Sequence, residues 1–266
     1  MIIFCKTTEK DFLRLMVTID SIQKYNKDNL KFYIAVDEKD IRELDVSDIE
    51  ADIEIVSERD IVNLSQVKMG DWKKQQVIKF EFCKNMDSDN CLILDSDSYF
   101  IKDFYKKDFF DNGGNLYTVM HEVNKVIKNY NYVGKSYDKD IEFYKSLRER
   151  IKNNFRKDDS ELYDFGPTPV LWSKKVILDF EKNYLNKKNK TFVDIIREVP
   201  LEYNWYGEWL LKNNIIKLIP TKPFFKNISS KEEYDKMNEV GVTLSKLKKE
   251  YMGINMQSNW DPPLKY

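Results

Sequence analysis

Several residue types that mark particular protein classes are scarce in this chain. Its 266 residues include 8 glycines, 7 prolines, 3 cysteines and 1 histidine. Three cysteines, an odd number without metal-type spacing, argue against a disulfide framework and favour a reducing cytoplasm. No apolar run approaches the ~20 residues that span a bilayer, and the N-terminus is charged too early for a secretory signal. We therefore expect a cytoplasmic protein.

An excess of either charge is also lacking. The 44 Lys and Arg residues nearly balance 45 Asp and Glu, for a formal net charge of -1. This balance offers no whole-chain electrostatic attraction to nucleic acid, so we expect no nucleic-acid partner. With 42% hydrophobic and 33% charged residues, the composition is that of a globular chain. No repeat, linker or composition break divides it, and we predict one domain over residues 1–266.

Short apolar runs alternate with amphipathic segments in the first hundred residues. The pattern predicts strands at residues 2–5, 32–36, 53–56 and 91–94, and helices near 12–22 and 72–86. Such alternation is typical of an α/β fold, a mostly parallel sheet with helices on both faces. The second half is less regular. There the pattern predicts strands at 116–120, 168–172 and 215–219, and helices at 139–155, 174–184, 202–213 and 231–251.

Two aspartates follow the fourth predicted strand, in the run CLILDSDSYF. Asp95 and Asp97 lie two residues apart, and ligands of open α/β sheets bind outside the carboxyl ends of the strands. Two carboxylates there repel each other unless a cation lies between them. Mg²⁺ and Mn²⁺ are commonly held by one or two carboxylates plus substrate phosphates. The sequence therefore predicts a divalent-metal site, where the metal would stabilise charge on a departing diphosphate.

Other interpretations of this pair remain open. An Asp-Ser-Asp turn can simply end a strand. Haloacid-dehalogenase-type phosphatases also place an apolar strand before D-x-D, but near the N-terminus and with Thr or Val where this chain has Tyr99. A nucleotidyltransferase usually has a glycine-rich first loop, which is missing here. A binding protein without catalytic activity is a further alternative.

Four further segments accompany the D-x-D motif in a fixed order. The run GDWKKQQVIKF over residues 70–80 lies upstream of LDSDS, and EYNWYGEW over residues 202–209 lies far downstream. The first two predicted strands end in Cys5-Lys6-Thr7-Thr8 and in Val36-Asp37. Over roughly residues 1–220 the chain resembles a GT-A-fold glycosyltransferase with a D-x-D motif. More narrowly, it resembles a bacterial family of glycosyltransferases tied to surface polysaccharides.

The resemblance implies a fold, a reaction and partners. It implies a GT-A-like domain, with residues 1–120 as the nucleotide-sugar and metal half and 121–266 as the acceptor half with C-terminal helices. The reaction would move a sugar from a UDP-, GDP- or CMP-linked donor to a saccharide or lipid-linked saccharide, with Mn²⁺ or Mg²⁺. Capsule or lipooligosaccharide synthesis would be the setting. A basic stretch near the C-terminus suggests peripheral contact with the inner face of the inner membrane.

The resemblance also assigns residues to the donor and the metal. Asp97 would be the more direct metal ligand, and Asp95 would lie nearer the ribose or a metal-bound water. The donor-side candidates are Lys6, Thr7, Thr8, Asp37, Trp72, Gln76, Lys79, Asp95 and Ser96. Among these, Lys79 would neutralise a diphosphate and Gln76 would hydrogen-bond a hydroxyl. Thr7 or Thr8 as a helix cap, and Trp72 as a packed aromatic, are the alternatives.

The acceptor side and the last metal ligands are less defined. Glu202, at a helix N-terminus that stabilises an anion, is the first candidate for the base. Glu208 is the second and Asp164 the third, and each is equally open to a structural role. Many GT-A enzymes take a further metal ligand from a C-terminal histidine, which this chain lacks. Gln257 and Asn259 in the tail are the candidates in its place.

Overall fold

The computed structural model describes residues 1–44, 46, 49–64, 67–124, 138–156 and 161–266. The strands are β1 Ile2–Lys6, β2 Phe32–Val36, β3 Ile53–Ser57, β4 Asn90–Asp95, β5 Ser98–Phe100, β6 Tyr117–Val119, β7 His121–Glu122, β8 Tyr163–Asp164, β9 Val170–Ser173, β10 Ile219–Thr221, β11 Phe225–Ile228 and β12 Gly253–Met256. The helices are α1 Phe12–Tyr25, α2 Glu58–Ile61, α3 Asp71–Asn85, α4 Asp138–Phe155, α5 Lys174–Phe180, α6 Phe192–Glu198, α7 Glu202–Asn213, α8 Lys231–Glu239 and α9 Leu244–Glu250.

A five-stranded sheet in the order β3-β2-β1-β4-β9 organises the first half. The first four strands of that order run parallel to one another, and β9 pairs antiparallel with β4. This is the predicted mostly parallel α/β sheet with flanking helices. Parallel strands joined by helices end at one edge, so β1 and β4 bring their carboxyl ends together. Their pairing sets Lys6 opposite Asp95.

Helices cover both faces of this sheet. Successive side chains of a strand point to opposite faces, so both sets of side chains are buried. Ile3, Cys5 and Leu94 pack on the side of α1, and Phe4 and Ile93 pack on the side of α3. Cys5 and Cys91 are buried, as expected for small core residues. The helix α3 therefore lies against the sheet next to β4. This packing brings the predicted donor helix close to the metal strand.

A smaller three-stranded sheet in the order β11-β12-β5 adjoins the D-x-D turn. The strand β5 begins at Ser98, with two residues between it and the end of the main-sheet strand β4, and pairs antiparallel with β12. One face of this sheet packs in a separate apolar cluster with residues of α8 and α9. The C-terminal segment is thus brought back to the metal motif.

Several element predictions were wrong in the second half. The predicted strand at 215–219 is absent except for its last residue, because β10 runs from Ile219 to Thr221. The predicted helix at 231–251 is two helices, α8 and α9, separated around Gly241, which has a φ of +65°. The short strands β11 and β12 and the helix α6 were not predicted. Within the described residues, no helix is long and apolar enough to cross a membrane.

Candidate active site at the D-x-D turn

A buried lysine ties the D-x-D strand to the downstream helix α7. The Lys79 ammonium donates to Oδ1 of Asp95 at 2.8 Å, to Oε1 of Glu202 at 2.9 Å and to the hydroxyl of Tyr203 at 2.8 Å. Burial disfavours its charge, but Asp95 and Glu202 outweigh burial and raise the pKa of Lys79 well above its ordinary value. An ammonium has three N–H groups, and all three are used. This geometry argues against the predicted contact of Lys79 with a diphosphate.

The second aspartate of the motif has one oxygen without a partner. Oδ2 of Asp97 accepts a hydrogen bond from the backbone N–H of Ser258 at 3.0 Å. Its Oδ1 is buried and accepts no hydrogen bond from the described residues. Burial, and next the charge of Asp95, raise the pKa of Asp97 to about 7. An enclosed carboxylate oxygen without a donor is an anionic ligand position that a cation would satisfy.

The residues present fit a hard divalent cation. Asp95 and Asp97 supply carboxylate oxygens, and Mg²⁺ typically takes one or two of these together with substrate phosphates and water. In the described part of the chain, no group of three or more His, Cys, Asp and Glu residues forms a metal cluster. The remaining ligands would therefore be neutral oxygens or belong to the substrate. Manganese accepts the same oxygen ligands.

The tail that was predicted to supply further ligands does reach the motif. Besides Ser258, the backbone N–H of Met256 donates to the carbonyl of Asp97 at 2.9 Å. Gln257 is half-buried, and its backbone N–H donates to Ile228 at 3.1 Å. Asn259 is exposed. Neither amide side chain forms a hydrogen bond with the described residues, so the third ligand stays a prediction.

The polar side chains of the loop after β1 contact other residues of the protein. The ammonium of Lys6 lies 2.6 Å from Oε1 of Glu58 and donates to the carbonyl of Thr7 at 2.8 Å. Thr7 is buried. The hydroxyl of Thr8 donates to Oδ2 of Asp11 at 3.3 Å and does not bond a backbone N–H of the following turn. Lys6 is thus an ion-paired side chain, whereas Thr8 is half-buried in the loop after β1.

Two more donor-side candidates have structural roles. Asp37 accepts a hydrogen bond from the backbone N–H of Lys39 at 3.2 Å, which caps the turn after β2. Ser96 is buried between the two aspartates, and its carbonyl accepts a hydrogen bond from the hydroxyl of Thr18 at 3.0 Å. That contact fixes the D-x-D turn against α1. Contact of Asp37 or Ser96 with a nucleoside stays a prediction.

The start of α3 offers one exposed and one buried candidate. Trp72 is 56% exposed, so the alternative of a packed aromatic does not describe it. Gln76 is 1% exposed, and its Nε2 donates to the carbonyl of Trp72 at 3.3 Å. Oε1 of Gln76 is buried and has no partner among the described residues. One helical turn before Lys79, this amide is an acceptor available to a ligand hydroxyl.

Glu208 is neutralised inside the protein. Its carboxylate is buried, and Arg156 donates to Oε2 from Nε at 2.8 Å and to Oε1 from Nη2 at 2.9 Å. Both oxygens are thus taken by one guanidinium in the fork geometry that arginine favours. This arrangement corrects the prediction of Glu208 as a base, because a general base needs an oxygen free to take a proton.

Asp164 is held as an anion mainly by Arg148, with His121 and a backbone N–H nearby. Nη2 of Arg148 donates to Oδ2 at 2.5 Å, Nε2 of His121 lies 3.9 Å from that oxygen, and the N–H of Gly166 donates to Oδ1 at 3.3 Å. Burial opposes the charge, but Arg148 and His121 hold the pKa of Asp164 below its ordinary value. A carboxylate this well satisfied suits hydroxyl binding better than proton abstraction.

Three residues near the motif were missed from the sequence. Tyr203 is one, because its contact with Lys79 depends on helix packing. The others are Asn227 and Asn255, which lie opposite each other in the small sheet, with Asn255 also opposite Ser98. The side-chain oxygens of both asparagines are buried and lack a partner among the described residues. An asparagine inside the short apolar runs FKNI and GINM was the available signal.

Solved glycosyltransferases share this fold. The galactosyltransferase LgtC, solved in complex with donor and acceptor sugar analogs, matches with a TM-score of 0.51 at 13% identity over 100% of this chain and 88% of LgtC. The bifunctional glycosyltransferase WbbM matches with a TM-score of 0.53 at 12% identity over 97% of this chain and 46% of WbbM. At such identities the likeness establishes the fold alone. The chain therefore has a GT-A-like glycosyltransferase fold.

A match to a sequence family classifies the chain more narrowly than the shared fold does. The profile of DUF6492, a family of unknown function, matches residues 1–228. The chain belongs to this family. No curated protein matches it at a significant level.

Proposed function

We propose that this protein is a metal-dependent glycosyltransferase that moves a sugar from a nucleotide-sugar donor to a saccharide acceptor. The observation that carries the proposal is the Asp95/Asp97 pair at the carboxyl edge of the sheet, where Oδ1 of Asp97 is enclosed and has no partner among the described residues. This edge is where ligands of open α/β folds bind. The pair lies in a fold shared with glycosyltransferases, one of which binds donor and acceptor sugar analogs.

Different residues of the site would bind the donor and the acceptor. Asp95 and Asp97 would hold Mn²⁺ or Mg²⁺, which when bound neutralises charge on the leaving nucleoside diphosphate. Gln76 supplies an acceptor for a ribose or sugar hydroxyl, and Trp72 offers an exposed face for the base. Gln257 and Asn259 close over the diphosphate from the tail. Asp164 binds hydroxyls of the saccharide.

The setting proposed is the synthesis of bacterial capsule or lipooligosaccharide at the cytoplasmic face of the inner membrane. Lipid-linked acceptors would be reached there by peripheral contact. The C-terminal helices α8 and α9 contain lysines for an anionic surface, although Glu232, Glu233 and Asp235 are interspersed with them. The donor requirement can be tested without knowledge of the acceptor.

Phosphoryl transfer is the second candidate, and one observation favours it. Lys79 donates to Asp95 at 2.8 Å, and a cation beside an aspartate is also what a phosphoryl-accepting carboxylate would use. Oδ1 of Asp95 is thereby engaged, however, and the fold matches solved glycosyltransferases. We rank this reaction below sugar transfer.

Thermal unfolding with UDP, GDP and CMP, each with and without Mn²⁺, tests the proposal. A ligand at 100 times its Kd adds about 2.7 kcal/mol of stability. For a chain of this size that corresponds to an increase in Tm of about 5 °C or more. We expect the increase only when one nucleotide and Mn²⁺ are both present. No stabilisation by any nucleotide, together with release of phosphate from p-nitrophenyl phosphate, would support the second candidate instead.

A further inference from the structure

The partners of Lys79 come from two regions that lie far apart in sequence. Asp95 ends the strand β4, whereas Glu202 and Tyr203 begin the helix α7. The lysine itself is on α3, and its side chain is 2% exposed. An ammonium so enclosed needs all of its hydrogen bonds, because an unpaired buried donor is strongly unfavourable. The three contacts therefore link the start of α7 to the metal motif.

The carboxylate of Glu202 is committed to this link. Its side chain is 8% exposed, and its Oε1 accepts from Lys79 at 2.9 Å. If Glu202 turned away to take a proton from an acceptor, Lys79 would lose a charged partner in a buried place. Breaking one side of a buried ion pair is strongly destabilising. Glu202 is thus poorly suited to be the mobile base that its sequence position suggests.

The contacts of Lys79 determine which carboxylate oxygens are left for a ligand. Asp95 and Glu202 are two carboxylates that share the one ammonium of Lys79, so this ammonium does not neutralise both of them. Lys79 occupies Oδ1 of Asp95, so Oδ2 is the oxygen left for a metal. In the described part of the chain, no hydrogen bond competes for that second oxygen.

We propose that Glu202 and Tyr203 are positioning residues that act through Lys79 to orient Asp95 for the metal, and that Glu202 is not the acceptor base. This inference rests on the proposed metal-dependent function. It assigns the start of α7 to the donor and metal side of the reaction. Groups that hold a metal ligand in place typically change metal affinity by about 10–100-fold when they are mutated.

Binding of Mn²⁺ alone, and of Mn²⁺ in the presence of UDP, tests the proposal in Tyr203→Phe and Glu202→Gln. Titration followed by the electron paramagnetic resonance of free Mn²⁺ gives the Kd directly. We expect the Kd for Mn²⁺ to rise about tenfold in Glu202→Gln, at the low end of such effects, and about threefold in Tyr203→Phe, which removes only one neutral hydroxyl. With any donor that the nucleotide screen identifies, saturating Mn²⁺ should restore most of the kcat of both variants.

Tyr206→Phe is the matched control for the tyrosine change. Tyr206 is on the same helix and buried, but its hydroxyl accepts from the N–H of Ser173 at 2.8 Å instead of contacting Lys79. Its loss should leave the Kd for Mn²⁺ unchanged. Tyr203→Phe removes one hydroxyl, so it keeps the test valid if Glu202→Gln fails to fold.

Two outcomes count against different parts of the argument. Unchanged Mn²⁺ affinity in both variants, with a 10²–10⁴-fold lower kcat at saturating Mn²⁺ in Glu202→Gln, is roughly what loss of a general base produces and would overturn the inference. Absence of Mn²⁺ binding by the unmodified protein, with or without UDP, would overturn the metal site itself. The failure of the inference is thus distinguishable from the failure of the proposed function.

Discussion

The carboxylates of the two halves of the chain differ in how the protein neutralises them. In the second half, Glu208 is bound through both oxygens by Arg156, and Asp164 is paired with Arg148. In the first half, Oδ1 of Asp97 is buried without a partner among the described residues. A carboxylate with an internal cation has its charge balanced inside the protein, as Asp95 has through one of its oxygens and Lys79. One without such a cation is available for a cation from solution, and this difference separates the metal site from its surroundings.

The largest effect should come from breaking an internal pair in the second half. Arg156→Met leaves Glu208 as a buried charge without its guanidinium, which costs about 3–5 kcal/mol for pairs of this kind. The expected decrease in Tm is about 6–20 °C, since ~1 kcal/mol shifts Tm by about 2–4 °C in chains near this size. Calorimetry measures it directly. Adding Glu208→Gln should recover part of the loss, and a stable but inactive Arg156→Met protein would contradict the structural role.

Removing the charge of Asp97 should abolish ligand binding and spare the fold. Asp97→Asn keeps the shape of the side chain and an acceptor for Ser258, but it loses the charge that attracts a divalent ion. We expect the affinity for Mn²⁺ with UDP to fall at least about 100-fold, or about 2.7 kcal/mol. The Tm without ligands should stay near that of the unmodified protein. Titration calorimetry and thermal unfolding measure the two quantities.

Asp87→Asn is the matched control for that change. Asp87 is exposed and precedes β4, at the end of the strand away from the motif. Its loss should change neither the affinity nor the Tm. If Asp97→Asn bound Mn²⁺ and UDP as tightly as the unmodified protein, the contrast between the two halves would lose its functional meaning.

A smaller effect is expected where α7 packs closely on the loop before β9. A Cβ at position 207 would lie 2.0 Å from Cγ of Phe165, so Gly207→Ala forces the ring or the helix to move. Overpacking of this kind costs about 1–3 kcal/mol. Denaturant unfolding should show this loss. Gly70→Ala, with nothing within 4 Å of its new Cβ, should stay within about 1 kcal/mol of the unmodified protein.

The smallest effect on stability is expected at the exposed end of α3. Trp72 is 56% exposed, so Trp72→Ala should change the unfolding free energy by no more than about 0.5 kcal/mol. Nucleotide affinity should nevertheless fall if the indole stacks on the base. Phe143→Ala is the control, since this ring is 59% exposed on α4. Equal nucleotide affinity in both variants would remove Trp72 from the donor site.

The predictions from sequence were most accurate where local pattern decides the structure. The strand that ends at Asp95, and the helix that carries Gln76 and Lys79, were both expected close to their observed bounds. Apolar periodicity over six to fifteen residues is sufficient for such elements. The short strands β11 and β12 were missed because four residues hold too little periodicity. The prediction of one helix over residues 231–251 was too long, because the charge pattern on which it was based does not show that the chain bends at Gly241.

The sequence by itself determined the α/β alternation, and with it the placement of Asp95 and Asp97 after the fourth strand. Local spacing suffices for that because side-chain direction follows the period of each element. Only the tertiary structure decided which charges meet. Lys79 and Glu202 are 123 positions apart, and Asp97 and Ser258 are 161 apart. Whether a carboxylate is a base, a positioning residue or a metal ligand depends on the cation that packing brings to it. No local sequence pattern encodes that packing.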